Sequence, residues 1–377
     1  MIHQLRQKKD FKLIRSLLHD KRHPILNGII EGHHHGRIYV DHLSKPNCAL
    51  VWAEQEIFYL LGNPQPDFVT KLPTYIKEVI APEAERINDH FFQVELWPES
   101  KWRQVVQKHL QMFLPKPYER VTFSFDPDLY IKSPNVSIPS HVEVKRITLD
   151  MLSEQRFEEI LESVVDFWES PDMFIKKGFG YVVIREEKVR SSCVSVFATD
   201  TDVEIGIDTY NYFDRGKGYA LLAARAFLDE CLRQGRMPHW RTEDFRVSSI
   251  KLAEKVGFTN RQYYTAFVFL YNPLDHFVFC AYHRLRYGGN VTEANNYIKQ
   301  AQALGELDKR HHFLLSCGYS LADRSDLSLK YLQLALDLGW NDISDIRYFV
   351  DLVHLRKTDK GRALLEEFEN KNSFCNE

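Results

Sequence analysis

Hydrophobic and polar positions divide the 377 residues into three regions with different periodicities. The first, residues 1–140, mixes short apolar runs typical of strands, such as 48–54 and 56–61, with amphipathic helix candidates such as 102–113. A proline-containing stretch, 125–139, then interrupts the regular pattern and is interpreted as a linker. We therefore predict a first domain that ends near residue 140.

The second region, residues 141–275, alternates between the two-residue period of strands and the longer period of helices. The candidates in chain order are a strand at 142–146, a helix at 149–168, strands at 179–185, 189–199 and 202–210, a helix at 219–234, a strand at 239–242, a helix ending at Gly257 and a strand at 261–271. The polar turn 186–188 joins two of the strands and predicts an antiparallel hairpin. This order of elements predicts an α+β domain.

The third region, about 280–377, has a helical period throughout. Helix candidates lie near 292–304, 308–319, 325–338, 343–356 and 358–369. Short helices separated by turns favour a small module of stacked helix pairs, although no regular repeat length is visible.

Composition narrows the classes of protein that need to be considered. The chain is 44% hydrophobic and 27% charged, with a net charge of −3, so neither nucleic acid nor an anionic membrane is favoured as a partner. There is no 18-residue apolar stretch, and the first ten residues are polar and lysine-rich, unlike a secretory signal. The six cysteines form no C-x-x-C pair, which favours reduced thiols and a cytoplasmic location.

The loop at residues 214–220 carries the clearest chemical signal, because it joins a strand candidate to a helix candidate and is rich in glycine. Glycines allow backbone N–H groups to approach a ligand, and the helix directs its positive end towards the same place. Gly218 replaces the Ser or Thr that a P-loop needs after Lys217, and a Rossmann fingerprint would need a third glycine. The loop is therefore either an anion seat of another kind or an ordinary strand-to-helix turn.

Residues 208–220 resemble the pyrophosphate-loop motif of the GNAT acetyltransferases, Arg/Gln-x-x-Gly-x-Gly/Ala, with Arg215, Gly218 and Ala220 at its defining positions. About 30 residues later, 249–258 looks like the second signature of that family, a helix ending in Lys-x-Gly-Phe. The wider chain is similar to the zwittermicin A resistance branch, in which a divergent first half precedes a better-preserved second half. The last hundred residues look similar to the tetratricopeptide-like (TPR-like) ends of some bacterial enzymes.

The resemblance implies a GNAT fold, a mixed and mostly antiparallel sheet flanked by helices. It would be preceded by a degenerate GNAT-like domain (1–140) and followed by a helical, TPR-like module (280–377), with the catalytic domain at 141–275. The implied reaction moves an acetyl group from acetyl-CoA to a primary amine of a small molecule, for which an antibiotic is one suggestion. The implied cofactor-binding residues are main-chain groups of Ile205, Gly206 and Ile207 and the loop residues Arg215, Gly216, Lys217, Gly218, Tyr219 and Ala220.

Proton transfer is assigned by position along the strand that precedes the loop. Glu204 is the first candidate for the base and Asp208 the second; the alternative for Glu204 is a solvent-facing strand carboxylate. Many family members have a tyrosine acid where this chain has Ala253, so the thiolate leaves without a dedicated acid unless another tyrosine replaces it. Tyr263 and Tyr264 are candidates for that replacement, although packing in an aromatic sheet is the favoured interpretation.

Three further assignments each have an alternative. Ser248 and Ser249 either contact the cofactor or start a helix. His33, His34 and His35 are interpreted as a polar turn rather than a metal site. Phe167 and Trp168 either line an acceptor cleft or, as their helical spacing favours, pack in a core.

A second function class stays open beside the enzyme. The chain could be a CoA-binding or protein-interaction protein that has lost catalysis and binds a protein partner through its C-terminal helices. Residues 1–140 contain no Arg-x-x-Gly-x-Gly/Ala loop, so we expect them to bind no second CoA.

Overall fold

The computed structural model describes residues 1–18, 20–134, 136–211, 214–341 and 350–373. The chain divides into two compact units, Met1–Val268 and Phe269–Glu377. The first unit contains two β-sheets, and the second is built from helices.

Thirteen strands are formed by the described residues. They are β1 (His3–Leu5), β2 (Gly36–Val40), β3 (Cys48–Ala53), β4 (Ile57–Gly62), β5 (Phe91–Trp97), β6 (Lys116–Phe125), β7 (Glu143–Arg146), β8 (Gly180–Arg185), β9 (Lys188–Ala198), β10 (Asp202–Thr209), β11 (Met237–His239), β12 (Arg241–Glu243) and β13 (Phe258–Leu270).

Fifteen α-helices accompany these strands within the described residues. They are α1 (Pro24–Ile30), α2 (Pro66–Tyr75), α3 (Ala81–Arg86), α4 (Glu99–His109), α5 (Pro127–Lys132), α6 (Leu149–Leu152), α7 (Glu158–Phe167), α8 (Pro171–Lys177), α9 (Tyr219–Gln234), α10 (Val247–Lys255), α11 (Pro273–Gly288), α12 (Val291–Leu304), α13 (Lys309–Leu321), α14 (Ser325–Asp337) and α15 (Asp359–Ser373). A π-helical segment, Ile76–Ile80, joins α2 to α3, and a 3₁₀-helix, Lys8–Leu17, precedes α1. None of the described helices has both the length and the apolar character needed to cross a bilayer.

The two sheets have the strand orders β1-β2-β3-β4-β5-β13-β6-β12 and β11-β10-β9-β8-β7. Strand β4 pairs with β5 in parallel, and β10 pairs with β11 in parallel. Strands β12 and β13 pair with β6 in the larger sheet, so residues after 141 complete a sheet that residues before 140 begin. The predicted boundary at residue 140 stays a prediction. The larger sheet contains strands from both sides of that residue.

Several local predictions for the second region are confirmed. The β8–β9 hairpin turns at Glu186 and Glu187, which have φ values of +52° and +59°, as a two-residue hairpin turn with both residues left-handed requires. Helix α9 buries the predicted face, Leu221, Ala224, Leu228 and Cys231. Trp168 is also buried, and its indole N–H donates to the Ser195 carbonyl at 2.8 Å, which confirms core packing.

The stretch interpreted as a linker contains a helix that packs against the core. The Asp126 carboxylate caps α5 by accepting from the Leu129 N–H at 3.0 Å. The Tyr130 hydroxyl donates to Asp229 of α9 at 2.7 Å. The linker interpretation was therefore wrong at 127–132, because prolines at the first turn of a helix are compatible with helix formation.

Two further element predictions also need correction. The predicted strand at 239–242 is two strands, β11 and β12, which belong to different sheets and are separated by Trp240. Helix α11 was not predicted. Its first half, 273–280, spans the predicted boundary between the second and third regions. The first half of the predicted helix near 343–356 lies outside the described residues, and the second half forms two short 3₁₀-helices, Val350–Leu352 and Leu355–Lys357.

The C-terminal unit is a set of packed helix pairs. Helix α11 packs against α12 and α13, and α13 packs against α14. An added Cβ at Gly318 of α13 would lie 3.0 Å from Leu285 of α11, so the two helices approach closely there. Ser316 and Ser328 exchange hydrogen bonds between the side chain of each and the carbonyl of the other, at 2.8 and 2.9 Å, which fixes α13 against α14.

His34 connects segments that are far apart in the sequence of the first unit. Its Nε2 accepts from the Ala198 N–H at 2.9 Å, and its Nδ1–H donates to the Phe167 carbonyl at 3.1 Å. The ring lies between Trp168 and Phe197, with centroids 4.0 and 4.8 Å away. The interpretation of His34 as part of a polar turn was therefore wrong, because a neutral imidazole can satisfy two backbone groups in a core.

The His34 environment makes the stability of the protein sensitive to acid. Burial lowers the pKa of His34 to about 3, and the adjacent His33 and His35 act in the same direction, whereas its two backbone hydrogen bonds oppose the change. The unfolded chain takes up the proton near pH 6.5, so the free energy of unfolding is lost as the pH falls below that value. At pH 5 the expected loss from this residue is about 2 kcal/mol.

We expect His34→Gln to be less stable than the wild-type protein at pH 7.5, and its unfolding free energy to depend less on pH between 7.5 and 5. Urea denaturation at several pH values measures both effects. The control is His141→Gln, which changes an exposed histidine and should keep the wild-type dependence. His23 is also buried, with a lowered pKa, so some dependence remains in His34→Gln. A wild-type pH dependence in His34→Gln would contradict the assignment.

Candidate active site

The glycine loop leads directly into α9 and leaves the start of that helix open. Gly216 and Gly218 have φ values of +76° and +88°, which L side chains rarely adopt. An added Cβ at either glycine would meet no atom within 4 Å. Gly218 occupies the N-cap position, and no side chain caps the helix. The first backbone N–H groups of α9 are therefore available for an anion.

Asp214 fixes the start of this loop. Its carboxylate is buried and accepts from Arg190 at 3.2 Å and from Lys217 at 3.3 Å. Lys217 therefore has a carboxylate partner within the loop, and its side chain braces the turn as well as adding charge. The Tyr219 side chain is buried, and its hydroxyl accepts from Arg185 at 3.1 Å, so Tyr219 can offer a ligand only its main chain.

Strand β10 has an open main-chain edge immediately before the loop. Its parallel pairing with β11 covers Asp202 to Glu204 and ends at the pair Glu204–His239. Beyond that pair, Ile205, Gly206 and Ile207 are paired only with β9 among the strands that the structure describes, because the chain after His239 turns into the other sheet. A bulge between Glu204 and Ile205, which simple alternation did not predict, lies at the same point.

Two ion pairs join β10 to the end of β11 and the start of β12. The Asp202 carboxylate lies 2.8 Å from Nε2 of His239, and the Glu204 carboxylate lies 2.7 Å from Nη1 of Arg241. The Glu204 and Arg241 side chains are only 6% and 7% exposed. The alternative that Glu204 is a solvent-facing carboxylate was therefore wrong. The role of Glu204 as the base stays a prediction. In that role Glu204 would have to accept a proton while paired with the buried guanidinium of Arg241.

Asp208 lies near the far end of β10, closer to the loop. Loss of hydration raises the pKa of its carboxyl, and nearby Arg246 and Arg215 oppose that rise. Arg246 precedes α10 and Arg215 belongs to the loop, so positive charge from both segments acts on the Asp208 carboxyl. The structure thus brings together Asp208, Arg215 and the first turn of α10, three of the places that the sequence analysis selected.

The two serines of α10 have different environments. Ser248 is exposed, whereas the Ser249 hydroxyl accepts from the indole N–H of Trp240 at 3.0 Å. Arg246 occupies the N-cap position, so neither serine caps this helix. Cofactor contact by either serine stays a prediction, and Ser249 also holds the residue at which the chain changes sheets. Ala253, which replaces the family's tyrosine, is fully buried.

A cavity of about 550 Å³ lies beside the point where the sheets separate. Its lining includes Trp97 of β5, Thr122 of β6, His239, Arg241, and Tyr263 and Tyr264 of β13. Strands β6, β12 and β13 form one side of it, so the sheet shared by the two sequence regions also forms this cavity.

The two tyrosines of β13 differ strongly from each other. Tyr264 is half-buried, and its hydroxyl donates to Glu95 at 2.9 Å; loss of hydration and Glu95 raise its pKa well above the usual range. Tyr263 is 55% exposed, and its hydroxyl accepts from Arg261 at 3.3 Å. The favoured packing interpretation was therefore wrong for Tyr263, whereas the half-buried Tyr264 both contacts Glu95 and lines the cavity.

The first sequence region contains a similar strand–helix–strand unit, β4 to β5. Its two strands stay paired over most of β4, whereas β10 and β11 separate after Glu204. Parallel pairing between β4 and β5 covers Phe58–Leu61, most of β4. An added Cβ at Gly62, which follows this pairing, would lie 2.3 Å from the Asn47 carbonyl oxygen. The next segment contains Pro64 and Pro66, which have no N–H to donate. This unit has neither a free strand edge at those residues nor an amide-rich loop.

Comparisons with known proteins agree with this arrangement of strands and helices. A model of the GNAT acetyltransferase family matches residues 15–267 of the chain. An uncharacterized N-acetyltransferase of Bacillus subtilis (strain 168), YdfB, is 26% identical over 263 residues, which cover 69% of this chain and 96% of that protein.

Solved structures show the same similarity at the level of the fold. A GCN5-related N-acetyltransferase-like protein from Streptococcus suis 89/1591 has a TM-score of 0.51 and 22% identity, covering 69% of this chain and 98% of its own. A tandem GNAT protein from the clavulanic acid biosynthesis pathway has a TM-score of 0.45 and 10% identity, covering 72% of this chain and 99% of its own.

The α+β fold, with an uncapped helix after an open strand edge, belongs to the acetyltransferase class that the family match identifies. The chain belongs to the GNAT acetyltransferase family, because the family match extends over more than half of its length. It is accordingly an N-acetyltransferase of that family, and the family resemblance carried by Arg215, Gly218 and Ala220 is confirmed.

Sequence reasoning missed His239 and Arg241. A signal was present, since acidic residues at 202 and 204 and basic residues at 239 and 241 have the same two-residue spacing on two strand candidates. Parallel pairing of β10 with β11 places Asp202, Glu204 and His239 on one face, and Arg241 reaches Glu204 from β12, just beyond that pairing. Finding the signal needed the register, which is not visible in either strand alone.

We expect Glu204→Gln to lower the free energy of unfolding by about 3 kcal/mol, because it leaves the buried Arg241 guanidinium without its counter-charge. The control is Glu143→Gln, which removes an exposed partner of Lys145 and should cost less than about 1 kcal/mol. Urea denaturation measures both. Equal effects of the two substitutions would show that the Glu204–Arg241 pair is not a buried one.

Proposed function

We propose that the protein transfers an acetyl group from acetyl-CoA to a primary amine of a small molecule by direct attack of the amine on the thioester. The observation that carries this proposal is the open edge of β10, which ends in an uncapped glycine loop and α9. Acetyl-CoA is a linear cofactor with a thioester at one end and a pyrophosphate further along. The open edge of β10 would bind the thioester end, and the glycine loop at the start of α9 would bind the pyrophosphate.

The pyrophosphate would bind at the backbone N–H groups between Arg215 and Ala220. These amides point at a ligand with the positive end of α9 behind them, and each hydrogen bond to a charged acceptor contributes roughly 1.5–3 kcal/mol. Arg215 is exposed at the same place and adds a positive charge. Lys217 contributes from its position beside Asp214.

The pantetheine arm would pair with main-chain groups of Ile205, Gly206 and Ile207, where β10 has no partner on the β11 side. An added Cβ at Gly206 would lie 2.4 Å from Val196, so this position is restricted to glycine by the neighbouring strand. An amide in this segment would polarise the thioester carbonyl, an effect for which removal of one donor typically costs about 2.7–4 kcal/mol.

The acceptor would bind in the 550 Å³ cavity, which lies where β10 and the larger sheet diverge. Its volume suits a small molecule, and its lining combines aromatic rings with polar groups. Glu204 and Asp208 remain the sequence-based candidates for the base. An antibiotic acceptor and membership in the zwittermicin A resistance branch remain predictions.

The first sequence region would be a degenerate GNAT-like half that forms one wall of the acceptor cavity. Its β4–α2–α3–β5 unit has the same order as β10–α9–β11, with parallel strands in both cases. The closed β4–β5 pairing and the filled space at Gly62 argue against a second CoA site. The C-terminal unit would be a TPR-like module that binds a protein partner, which the packing of α11 on both α12 and α13 supports.

We expect purified protein to release free CoA thiol from acetyl-CoA when an acceptor amine is present. A panel of aminosugars, polyamines, amino acids and aromatic amines, with mass spectrometry of the products, measures the transfer and locates the acetyl group. Tight CoA binding without turnover on the whole panel would favour the alternative, a CoA-binding protein without catalysis.

We expect Gly218→Ala to weaken acetyl-CoA binding about tenfold, because a methyl group at the N-cap of α9 would stand over the open amides. The matched control is Gly235→Ala at the other end of the same helix, where φ is +66° and an added Cβ also meets nothing. Both substitutions should cost a similar 1–2 kcal/mol of stability, roughly the cost of a left-handed residue.

Isothermal titration calorimetry measures both affinities and the number of sites, for which we expect one per chain. Equal affinity in the two variants would place the pyrophosphate elsewhere. A stoichiometry of two would contradict the assignment of the first region as a half without a CoA site.

A further inference from the structure

We infer that His239, oriented by Asp202, removes the proton from the acceptor ammonium. This inference rests on the proposed function and adds to it a residue that lines the cavity. His239 is the last residue of β11 and the partner of Glu204 in the final parallel pair before the sheets separate. It therefore lies at the point where the proposed thioester and acceptor sites meet.

Asp202 fixes one ring nitrogen of His239. The carboxylate is buried and lies 2.8 Å from Nε2 of the imidazole. It also accepts from Thr201 at 2.6 Å and from Nε of Arg22 at 3.1 Å. Hydrogen bonds from His239, Thr201 and Arg22 outweigh the effect of burial and lower the pKa of Asp202. Asp202 thus stays ionised and accepts the Nε2–H of the imidazole.

The other ring nitrogen is the one available for chemistry. With a proton on Nε2, a neutral imidazole carries its lone pair on Nδ1. Within the described residues, Nδ1 has no hydrogen-bond partner, and the ring lines the cavity while its side chain is 19% exposed. A histidine oriented by a carboxylate and open to a substrate cavity is the arrangement of a general base.

Glu204 is less well placed for the same task. Its carboxylate is bound to Arg241, and the cavity is lined by Arg241 and His239 rather than by Glu204 itself. A proton accepted by Glu204 would cancel a buried ion pair, whereas a proton accepted by His239 would create one with Asp202. The charge arrangement therefore favours His239.

Other charged and titratable groups surround His239. They are Asp202 and Glu204 on β10, Arg241 on β12, Asp20 and Arg22 before α1, His23 at the N-cap of α1, Glu99 of α4, and Tyr263 and Tyr264 of β13. Burial lowers the pKa of His23 well below its usual value, so His23 is neutral near pH 7 and adds no positive charge beside His239.

Acetyl transfer in this site begins with removal of a proton from the acceptor. Nδ1 of His239 takes one proton from the ammonium, and the amine lone pair attacks the thioester carbonyl carbon to form the C–N bond. The tetrahedral intermediate expels the CoA thiolate as the C–S bond breaks. The nitrogen loses its second proton, one proton reaches the thiolate to give free CoA, and the other returns to solvent.

The first test compares His239→Gln with the wild-type protein, using an amine that the wild-type protein acetylates. We expect kcat to fall about a hundredfold or more near pH 7, which is within the usual range for loss of a general base. The rate of the variant should rise with pH in step with deprotonation of the free amine. The affinity for acetyl-CoA should stay within about twofold, which separates a chemical role from a structural one.

Chemical rescue gives a second test that does not depend on the first variant. His239→Ala opens space beside the cavity, and added imidazole should restore part of its activity while leaving the wild-type rate unchanged. The control variant is His141→Gln, an exposed histidine whose loss should leave rate and pH profile as in the wild-type protein. Glu204→Gln, assayed in parallel, should be destabilised but keep the shape of the wild-type pH profile.

The outcomes separate this inference from the proposed function. A wild-type pH profile and kcat in His239→Gln, or an inactive His239→Ala that imidazole does not rescue, would overturn the role of His239 while acetyl transfer stands. No turnover by the wild-type protein on the amine panel would overturn the proposed function and the inference together.

Discussion

The chain leaves one sheet and enters the other at Trp240, and the site depends on this change. Trp240 is buried, edge-on to Phe258 and hydrogen-bonded to Ser249, so the crossing point is anchored to the helix and strand that follow it. Before it, His239 still pairs with β10; after it, Arg241 pairs with β6. The charge pairs to Asp202 and Glu204 hold both sides of the crossing against β10. The open strand edge and the cavity are two results of one divergence.

Local features of the site could be predicted from the sequence because each is encoded within about fifteen consecutive residues. The strand-to-helix position of the glycine loop, the buried face of α9 and the β8–β9 turn depend on neighbours in the chain, and the structure has all three as predicted. The burial of His34 depends on Ala198, 164 positions away, and the sheet change at Trp240 depends on the pairing of Arg241 with Thr122 of β6. The bulge at Glu204 depends on the register between β10 and β9. Periodicity contains no information about register, so Glu204 could be placed on a strand but not assigned its partner.

The same distinction explains which residues were interpreted in the wrong environment. Tyr263 and Tyr264 are adjacent tyrosines on β13, yet Tyr263 is exposed and Tyr264 is half-buried against Glu95. Three successive histidines look like a solvated turn, yet the middle one closes a backbone gap between Phe167 and Ala198. In both cases, strand alternation or a distant backbone group decides the environment rather than composition.

Strand β13 has a consequence for how the polypeptide must be made. It pairs with β6, which is about 140 positions earlier, and completes the sheet that begins with β1. During synthesis the first 140 residues therefore leave the ribosome well before β13 has been made. Strand β6 has an unpaired edge until β13 is available. Contacts between distant parts of a chain slow folding and lengthen exposure of unpaired edges. Expression of the first half alone would leave that edge permanently unpaired, so truncated fragments cut near residue 140 are poor choices for isolating either half.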